Sequence, residues 1–271
     1  MTLGPLRVAA VQAASVAGDV EANVASAVHW VGVAAERGAR VVVLPELFLT
    51  GYNPTTWQAA AEGADVTAGD QRLLPLRRAA EAARAAVLVG ASVASGGQRT
   101  LSTLCCLPDG GLDVAYSKQH LWQAERSVFT PGSAGGSLVV EGWQLGLGIC
   151  YDGCFPEHAR AAADAGALGY LCPSAYVVGS EHRRDLYYAA RALDNGMYVV
   201  LAGLTGQCGE LTFSGGTAVY DPQGRRVTDV PQGEGLALAD LDPAAIAEAR
   251  AINPYAEDRP ASLGGRLVTR L

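Results

Sequence analysis

Two hydrophobic rhythms alternate along this chain. Continuous apolar runs of strand length recur at Leu6–Gln12, Arg40–Leu44, Ala86–Ala94, Leu101–Leu107, Trp143–Ile149, Leu168–Cys172, Met197–Ala202 and Leu236–Leu241. Most lack polar alternation, as expected for strands buried on both faces. Between them lie segments with helical spacing. Asp19 can cap a helix to about Arg37 that Gly38 closes, and further helices are predicted over Gln71–Ala85, Pro156–Ala165, Glu181–Asn195 and a short stretch from Asp242-Pro243. Two turn signals, Pro108-Asp-Gly-Gly111 and Asp221-Pro-Gln-Gly224, join Leu101–Leu107 to Asp113–Ser117 and Thr217–Tyr220 to Arg225–Asp229 as hairpins.

Crossover helices mixed with hairpins predict an α/β fold with mixed sheets flanked by helices. No low-complexity linker interrupts the pattern, so residues 1–271 are expected to form a single domain, with a core of about 6–242 and a C-terminal helix and tail over 243–271. A loose β/α echo between the halves leaves internal pseudo-symmetry open. The net charge of -7 gives no general attraction to phosphate backbones, and the pairs Arg77-Arg78 and Arg183-Arg184 read as solvated helix faces, so nucleic acid is excluded as a partner. No apolar run reaches the length of a membrane span and no basic-then-apolar leader precedes Leu6, which makes the cytoplasm the expected location. Cysteines 105, 106, 150, 154, 172 and 208 fall mostly in apolar runs and are expected to be reduced thiols.

The chemistry gathers at strand ends. The stretch Gly148-Ile-Cys-Tyr-Asp-Gly-Cys-Phe-Pro-Glu157 carries Cys150 off a buried strand, through a turn, toward a helix starting near Pro156. That placement faces the thiol toward the positive end of a helix dipole and predicts a favoured thiolate. Glu46 follows Val41-Val-Val-Leu-Pro45, and Lys118 follows Val114-Ala-Tyr-Ser117. A carboxylate, an ammonium and a thiol suffice for acyl transfer through a thioester: the acid takes the thiol proton, sulfur attacks a carbonyl, and the cation holds the oxyanion. Taken singly, a buried structural cysteine, a solvated glutamate and a lysine with its head in water remain open readings.

Together these residues resemble the nitrilase, or carbon–nitrogen hydrolase, superfamily. The resemblance rests on Pro45-Glu46 after its strand, Tyr116-Ser-Lys118-Gln-His120-Leu121, Glu125 with Phe129-Thr-Pro-Gly132, the Cys150–Glu157 stretch, Arg191-Ala-Leu-Asp-Asn195 and Gly215-Gly-Thr-Ala-Val-Tyr-Asp-Pro-Gln-Gly224. It implies a four-layer αββα sandwich of two mixed β-sheets, a homodimer or higher homo-oligomer, and a Glu–Lys–Cys triad. Glu46 would be the general base, Lys118 the oxyanion stabiliser, Cys150 the nucleophile, and Glu125 the group that orients substrate and Lys118. Cys150-Tyr-Asp with Phe155-Pro-Glu157 is similar to the amidase and carbamoylase branches, which implies release of ammonia from a small primary amide with no metal or organic cofactor. The alternatives are an N-carbamoyl amine or amino acid as substrate, an acyltransferase, or a non-catalytic binding member of the fold. Three positions depart from the family pattern: Asp194 replaces a glutamate, Gly203 replaces an asparagine, and Cys154 adds a second thiol.

Rival chemistries are weaker. Cys150, Cys154 and His158 are too few for a zinc site without a second cluster. His120, His158 and His182 offer bases for a Cys–His enzyme, although His120 also reads as a hydrogen-bonded loop support. Tyr52, Trp57, Trp122, Tyr151 and Tyr176 lie in loops after the strands and are candidates to line a substrate pocket, with core packing the other reading. Glu181 and Asp185 could meet a cationic substrate tail, but read first as a helix start that completes its dipole and as solvated surface.

Overall fold

The computed structural model describes residues 3–58 and 63–270. The first half of the chain runs β1 (Leu6–Gln12), α1 (Val20–Glu36), β2 (Val41–Val43), α2 (Pro54–Gln58), α3 (Leu74–Ala83), β3 (Ala86–Ser95), β4 (Gln98–Cys106) and β5 (Leu112–Ser117). The second runs β6 (Gly136–Val140), β7 (Trp143–Leu147), α4 (Pro156–Asp164), β8 (Gly169–Ser174), α5 (Glu181–Asn195), β9 (Tyr198–Gly203), β10 (Thr205–Cys208), β11 (Leu211–Ser214), β12 (Ala218–Tyr220), β13 (Arg226–Asp229), β14 (Gly235–Leu241), α6 (Pro243–Ile252) and α7 (Tyr255–Asp258). Local signals set the helix starts. Asp19 accepts a hydrogen bond from the Ala22 amide at 3.0 Å, and proline occupies the first turn of α3, α4 and α6, where its missing N–H costs nothing.

Two six-stranded sheets result, in the orders β14-β1-β2-β3-β4-β5 and β13-β12-β9-β8-β7-β6. Read from β14 and from β6, they share one pattern: antiparallel, parallel, parallel, antiparallel, antiparallel. The echo between the halves is therefore a repeated sheet topology. Helices α1 and α3 cover the first sheet and α4 and α5 the second, which makes the four-layer αββα sandwich. The continuous apolar strands are explained by this layering, since each sheet is buried by helices on one face and by the other sheet on its second. Leu6, Val8, Val42, Leu145 and Val200 share the core between and around the sheets, while Tyr170, Tyr188, Met197 and Leu201 fill a second cluster under α4 and α5. Each such fully buried apolar side chain stabilises the fold by about 1.5–3 kcal/mol.

Several expectations need adjusting. The Gln71–Ala85 helix opens as a 3-10 turn over Gln71–Leu73 before α3 begins. The edge strand β6 and the β10–β11 hairpin were not legible as strands: β6 begins on the second glycine of the Gly135-Gly136 pair and alternates half-buried with exposed residues. Gly203 is a packing requirement, because a Cβ there would lie 2.5 Å from the Gly215 carbonyl oxygen. Asp194, despite its shorter side chain, still pairs with Arg191 at 3.1 Å.

Candidate active site

Strand direction brings the acid and the cation together. β2 and β3 are parallel and β3, β4 and β5 are successively antiparallel, so β2 and β5 point the same way. Glu46 and Lys118 consequently emerge at one end of the first sheet, and Cys150, three residues past β7, arrives from the second. The Glu46 loop hugs its own sheet. The Leu49 amide donates to the Gly90 carbonyl at 3.0 Å and the Gly90 amide to Pro45 at 3.2 Å. A side chain on Gly90 would begin 2.3 Å from the Leu47 nitrogen, so glycine is needed for this approach.

The groups meet in a buried cluster. Lys118 Nζ donates to Glu46 Oε1 at 2.6 Å and to Glu125 Oε1 at 2.8 Å. Glu125 Oε1 also accepts the Tyr52 hydroxyl at 2.7 Å, and its Oε2 accepts the Trp122 amide at 2.7 Å. All three charged side chains are at most 1% exposed. Two carboxylates share one ammonium, so the cluster carries excess negative charge out of reach of water. Burial accordingly pushes Glu46 up to about 7, with Lys118 opposing and the Glu125 charge adding to the rise. Burial alone would lower Lys118, but Glu46, Glu125 and Cys150 outweigh it and raise its pKa. Among the described residues Glu46 Oε2 has no hydrogen-bond partner of ordinary geometry, while the Cys150 thiol sits near enough to pull the carboxyl back down.

Cys150 opens a 3-10 turn, Cys150–Cys154, and adopts φ +44°. A non-glycine residue in this region is strained by about 1–2 kcal/mol, and strain of this kind collects at functional positions. Neighbours hold it there: the Tyr188 hydroxyl donates to the Cys150 carbonyl at 3.1 Å, and Arg191 Nε donates to that of Gly153 at 3.1 Å. The favoured thiolate expected from a helix dipole is corrected. Desolvation and the Glu46 charge raise the thiol well above its ordinary value, against the opposing pull of Lys118 and the Ala175 amide. The resting sulfur is a thiol, and a base is needed to take its proton.

A second buried network lies behind the turn. Asp152 Oδ2 accepts the Tyr116 hydroxyl at 2.8 Å and the Ile149 amide at 3.0 Å; Oδ1 accepts the His120 amide at 2.9 Å and bonds His120 Nδ1 at 2.8 Å. His158 connects the Tyr116 and Tyr170 hydroxyls, each at 2.8 Å, and burial lowers its pKa, which keeps it neutral. Tyr116 and His120 flank Lys118 by two residues on each side, and Asp152 follows Cys150 by two. One carboxylate thus ties the cation's segment to the nucleophile's turn. His120, stacked on Phe155 with centroids 4.0 Å apart, is a loop support here. His120, Asp152 and His158 also bring ligand-type atoms within 4.8 Å of one another, but those atoms are engaged in the bonds just given. Among the described residues Cys150 and Cys154 join no such metal-type cluster. All six cysteines are free thiols.

A cavity of about 480 Å3 opens onto the first network, lined by Cys150, Lys118 and Glu125 and by the aromatic candidates Tyr52, Trp122, Tyr151 and Tyr176, whereas Trp57 is a core residue packed edge-on against Tyr52 and Phe129. Glu181 and Asp185 are spent elsewhere. Glu181 accepts the Gly179 amide, and Asp185 pairs with Arg184 and Arg226. Asp152, Tyr116, Tyr188 and Gly90 escaped the sequence reading. The Cys-Tyr-Asp and Tyr-x-Lys motifs contained the first two, but only the fold reveals that they bind each other.

Comparison with known proteins agrees with the geometry. A family model described as carbon-nitrogen hydrolase matches residues 7–251. A protein described as a hydrolase in the pqqF 5' region of Pseudomonas protegens is 34% identical over 237 residues, covering 86% of this chain and 82% of that one. An (R)-stereoselective amidase of Pseudomonas sp is 29% identical over 263 residues, covering 96% and 93%. Among solved structures, a mutant of the amidase from Nesterenkonia sp. AN1, with covalent addition of the acetamide moiety of fluoroacetamide at its active site cysteine, aligns over 96% of each chain at 28% identity and a TM-score of 0.84.

Proposed function

The chain belongs to the carbon–nitrogen hydrolase family as an amidase-type enzyme, and from that premise we propose that it cleaves a small primary amide to a carboxylic acid and ammonia through a Cys150 thioester. The observation that carries this reading is the convergence of Glu46, Lys118 and Glu125 on one buried cluster beside Cys150, at the floor of a cavity. Glu46 removes the thiol proton as sulfur bonds the amide carbon, and Lys118 Nζ holds the developing oxyanion. Collapse of the tetrahedral intermediate breaks the C–N bond, and the proton held by Glu46 leaves with the nitrogen as ammonia. Water then gives a proton to Glu46 and attacks the thioester, and the returning proton restores the thiol as the acid departs. Glu125, fixed by Tyr52 and the Trp122 amide, keeps Lys118 aimed into the cavity. A pKa near 7 suits a base that must take and return a proton at neutral pH.

The test is product analysis on a panel of primary amides, N-carbamoyl amines and nitriles. Ammonia with the matching acid from amides supports the reading; carbon dioxide from N-carbamoyl compounds with amides left intact overturns it. Added hydroxylamine should divert part of the acid to a hydroxamate, which reports an acyl-enzyme. A homodimer is the proposed assembly, supported by the exposed apolar residues Leu186 and Leu193 on α5 and Val227 on β13, and sedimentation measures it. Among the described residues no helix is long and apolar enough to cross a membrane.

A further inference from the structure

Among the described residues, two opposite charges that line the cavity and are exposed have no partner. Arg183 lies in the first turn of α5 and Glu210 in the turn between β10 and β11; both are exposed and both line the same cavity as Cys150. Among the described residues neither side chain makes a hydrogen bond or ion pair, and they are not paired with each other. Their neighbours behave differently. Arg184 is buried against Asp185, Ser214 Oγ and the Gly215 carbonyl, so the Arg183-Arg184 pair divides into a structural residue and an unengaged one. The remaining charges of the cavity are already spoken for, because Lys118 and Glu125 hold each other at the floor. Much of the remaining lining is aromatic or apolar, including Trp122, Tyr151, Tyr187, Val177 and Val178.

Resting on the amidase reading, we propose that the mouth selects an amide whose far end carries both a carboxylate and an ammonium, the carboxylate on Arg183 and the ammonium on Glu210. A tail with a carboxylate alone gains Arg183 but meets the Glu210 charge, and an ammonium alone meets the reverse. Only a tail with both leaves the two rim charges compensated, and a guanidinium suits a carboxylate through its paired N–H donors. The substrate class is the side-chain amide of an α-amino dicarboxylic acid. The Arg183 charge also reaches inward: burial raises the Cys154 thiol above its ordinary value, and Arg183 is among the groups that oppose that rise.

Four matched amides isolate the two charges: butanamide, glutaramate, 4-aminobutanamide and glutamine, which add neither, the carboxylate, the ammonium and both to one carbon skeleton. With the full-length protein, kcat/KM should be highest for glutamine. In Arg183→Met and in Glu210→Gln, the glutamine-to-butanamide ratio of kcat/KM should fall about tenfold, the lower range for charge-assisted bonds at an exposed rim, mainly through KM. A best substrate other than glutamine, or ratios unmoved in both variants, overturns the subsite. Failure of the amidase reading looks different: no member of the series would release ammonia from the unaltered enzyme.

Discussion

Two buried polar clusters lie side by side around Cys150, and they are built on opposite principles. The cluster of Asp152 is saturated: four hydrogen bonds from Tyr116, Ile149 and His120 surround one carboxylate. The cluster of Lys118 is short: two carboxylates share one cation, and among the described residues Glu46 Oε2 has no hydrogen-bond partner of ordinary geometry. Buried polar groups in folded proteins are ordinarily satisfied, so an unsatisfied one invites a functional reading. A saturated carboxylate fixes geometry, and an under-satisfied one can receive a proton. Of the two, the Lys118 cluster is the one that opens onto the cavity.

The largest blow to this contrast should come from Cys150→Ala. It removes the nucleophile shared by both regions and relieves the strained φ by little, since alanine keeps its Cβ. Ammonia release should fall by at least about 10^4-fold, as for loss of a nucleophile elsewhere, with the circular dichroism spectrum unchanged. Turnover within tenfold of the parent in purified variant protein would remove Cys150 from the chemistry.

Lys118→Ala comes next, and it strikes the under-satisfied cluster alone. Loss of one oxyanion donor costs about 2.7–4 kcal/mol in the rate, or 10^2–10^3-fold. It also strands Glu46 and Glu125 together without a cation, and breaking a buried pair in this way destabilises by about 3–5 kcal/mol. Protonation of one carboxyl would relieve part of that, so the stability loss should shrink as pH falls. Urea denaturation at two pH values measures it, and an equal loss at both would contradict the charge imbalance.

The pH profile sharpens the comparison further. Glu46 acts as base only when ionised, and its pKa is raised to about 7. Below that value kcat/KM should drop about tenfold per pH unit, since this parameter reports the free enzyme's groups. An acid limb centred near the ordinary carboxylate value would show that the cluster is better solvated than its geometry indicates.

Much of the under-satisfied cluster was legible in the chain. Glu46 and Cys150 sit just beyond apolar runs that could only be buried strands, and Lys118 ends the strand after a clear hairpin turn. The saturated cluster was not. Asp152 accepts from residues 32 and 36 positions away, and spacing along the chain carries no sign of such pairs. The thiolate expectation failed for a related reason. A helix dipole can be read from Pro156 and the helix-forming residues after it, but the burial and neighbouring carboxylate that raise the thiol exist only after folding. The fold obeyed the same rule: strands buried on both faces were evident, whereas β6, half exposed at a sheet edge, was not.

Asp152→Asn tests whether saturation alone is the task of the Asp152 cluster. The amide keeps the shape but replaces one acceptor oxygen with a donor, which leaves one or two buried N–H or O–H groups unpaired at about 1–3 kcal/mol of stability. If Asp152 positions the Cys150 turn against the Lys118 segment, kcat should fall several-fold to tenfold with KM nearly constant, and the pH limb near 7 should stay in place. A displaced limb would mean that Asp152 tunes Glu46 electrostatically.

His120→Ala should be the mildest of all. His120 Nδ1 bonds Asp152 and its ring stacks on Phe155, yet the side chain is 36% exposed and the Asp152 carboxylate keeps three other donors, including the His120 backbone amide. Losing one hydrogen bond and a half-exposed stack should cost about 1 kcal/mol of stability and less than fivefold in kcat/KM. A Cys–His enzyme predicts the reverse order, with His120→Ala near inactive and Glu46→Gln mild. The ratio of the two variants' kcat/KM therefore decides which cluster holds the base, and a His120→Ala loss exceeding that of Glu46→Gln would move the proton-accepting role from the under-satisfied cluster to the saturated one.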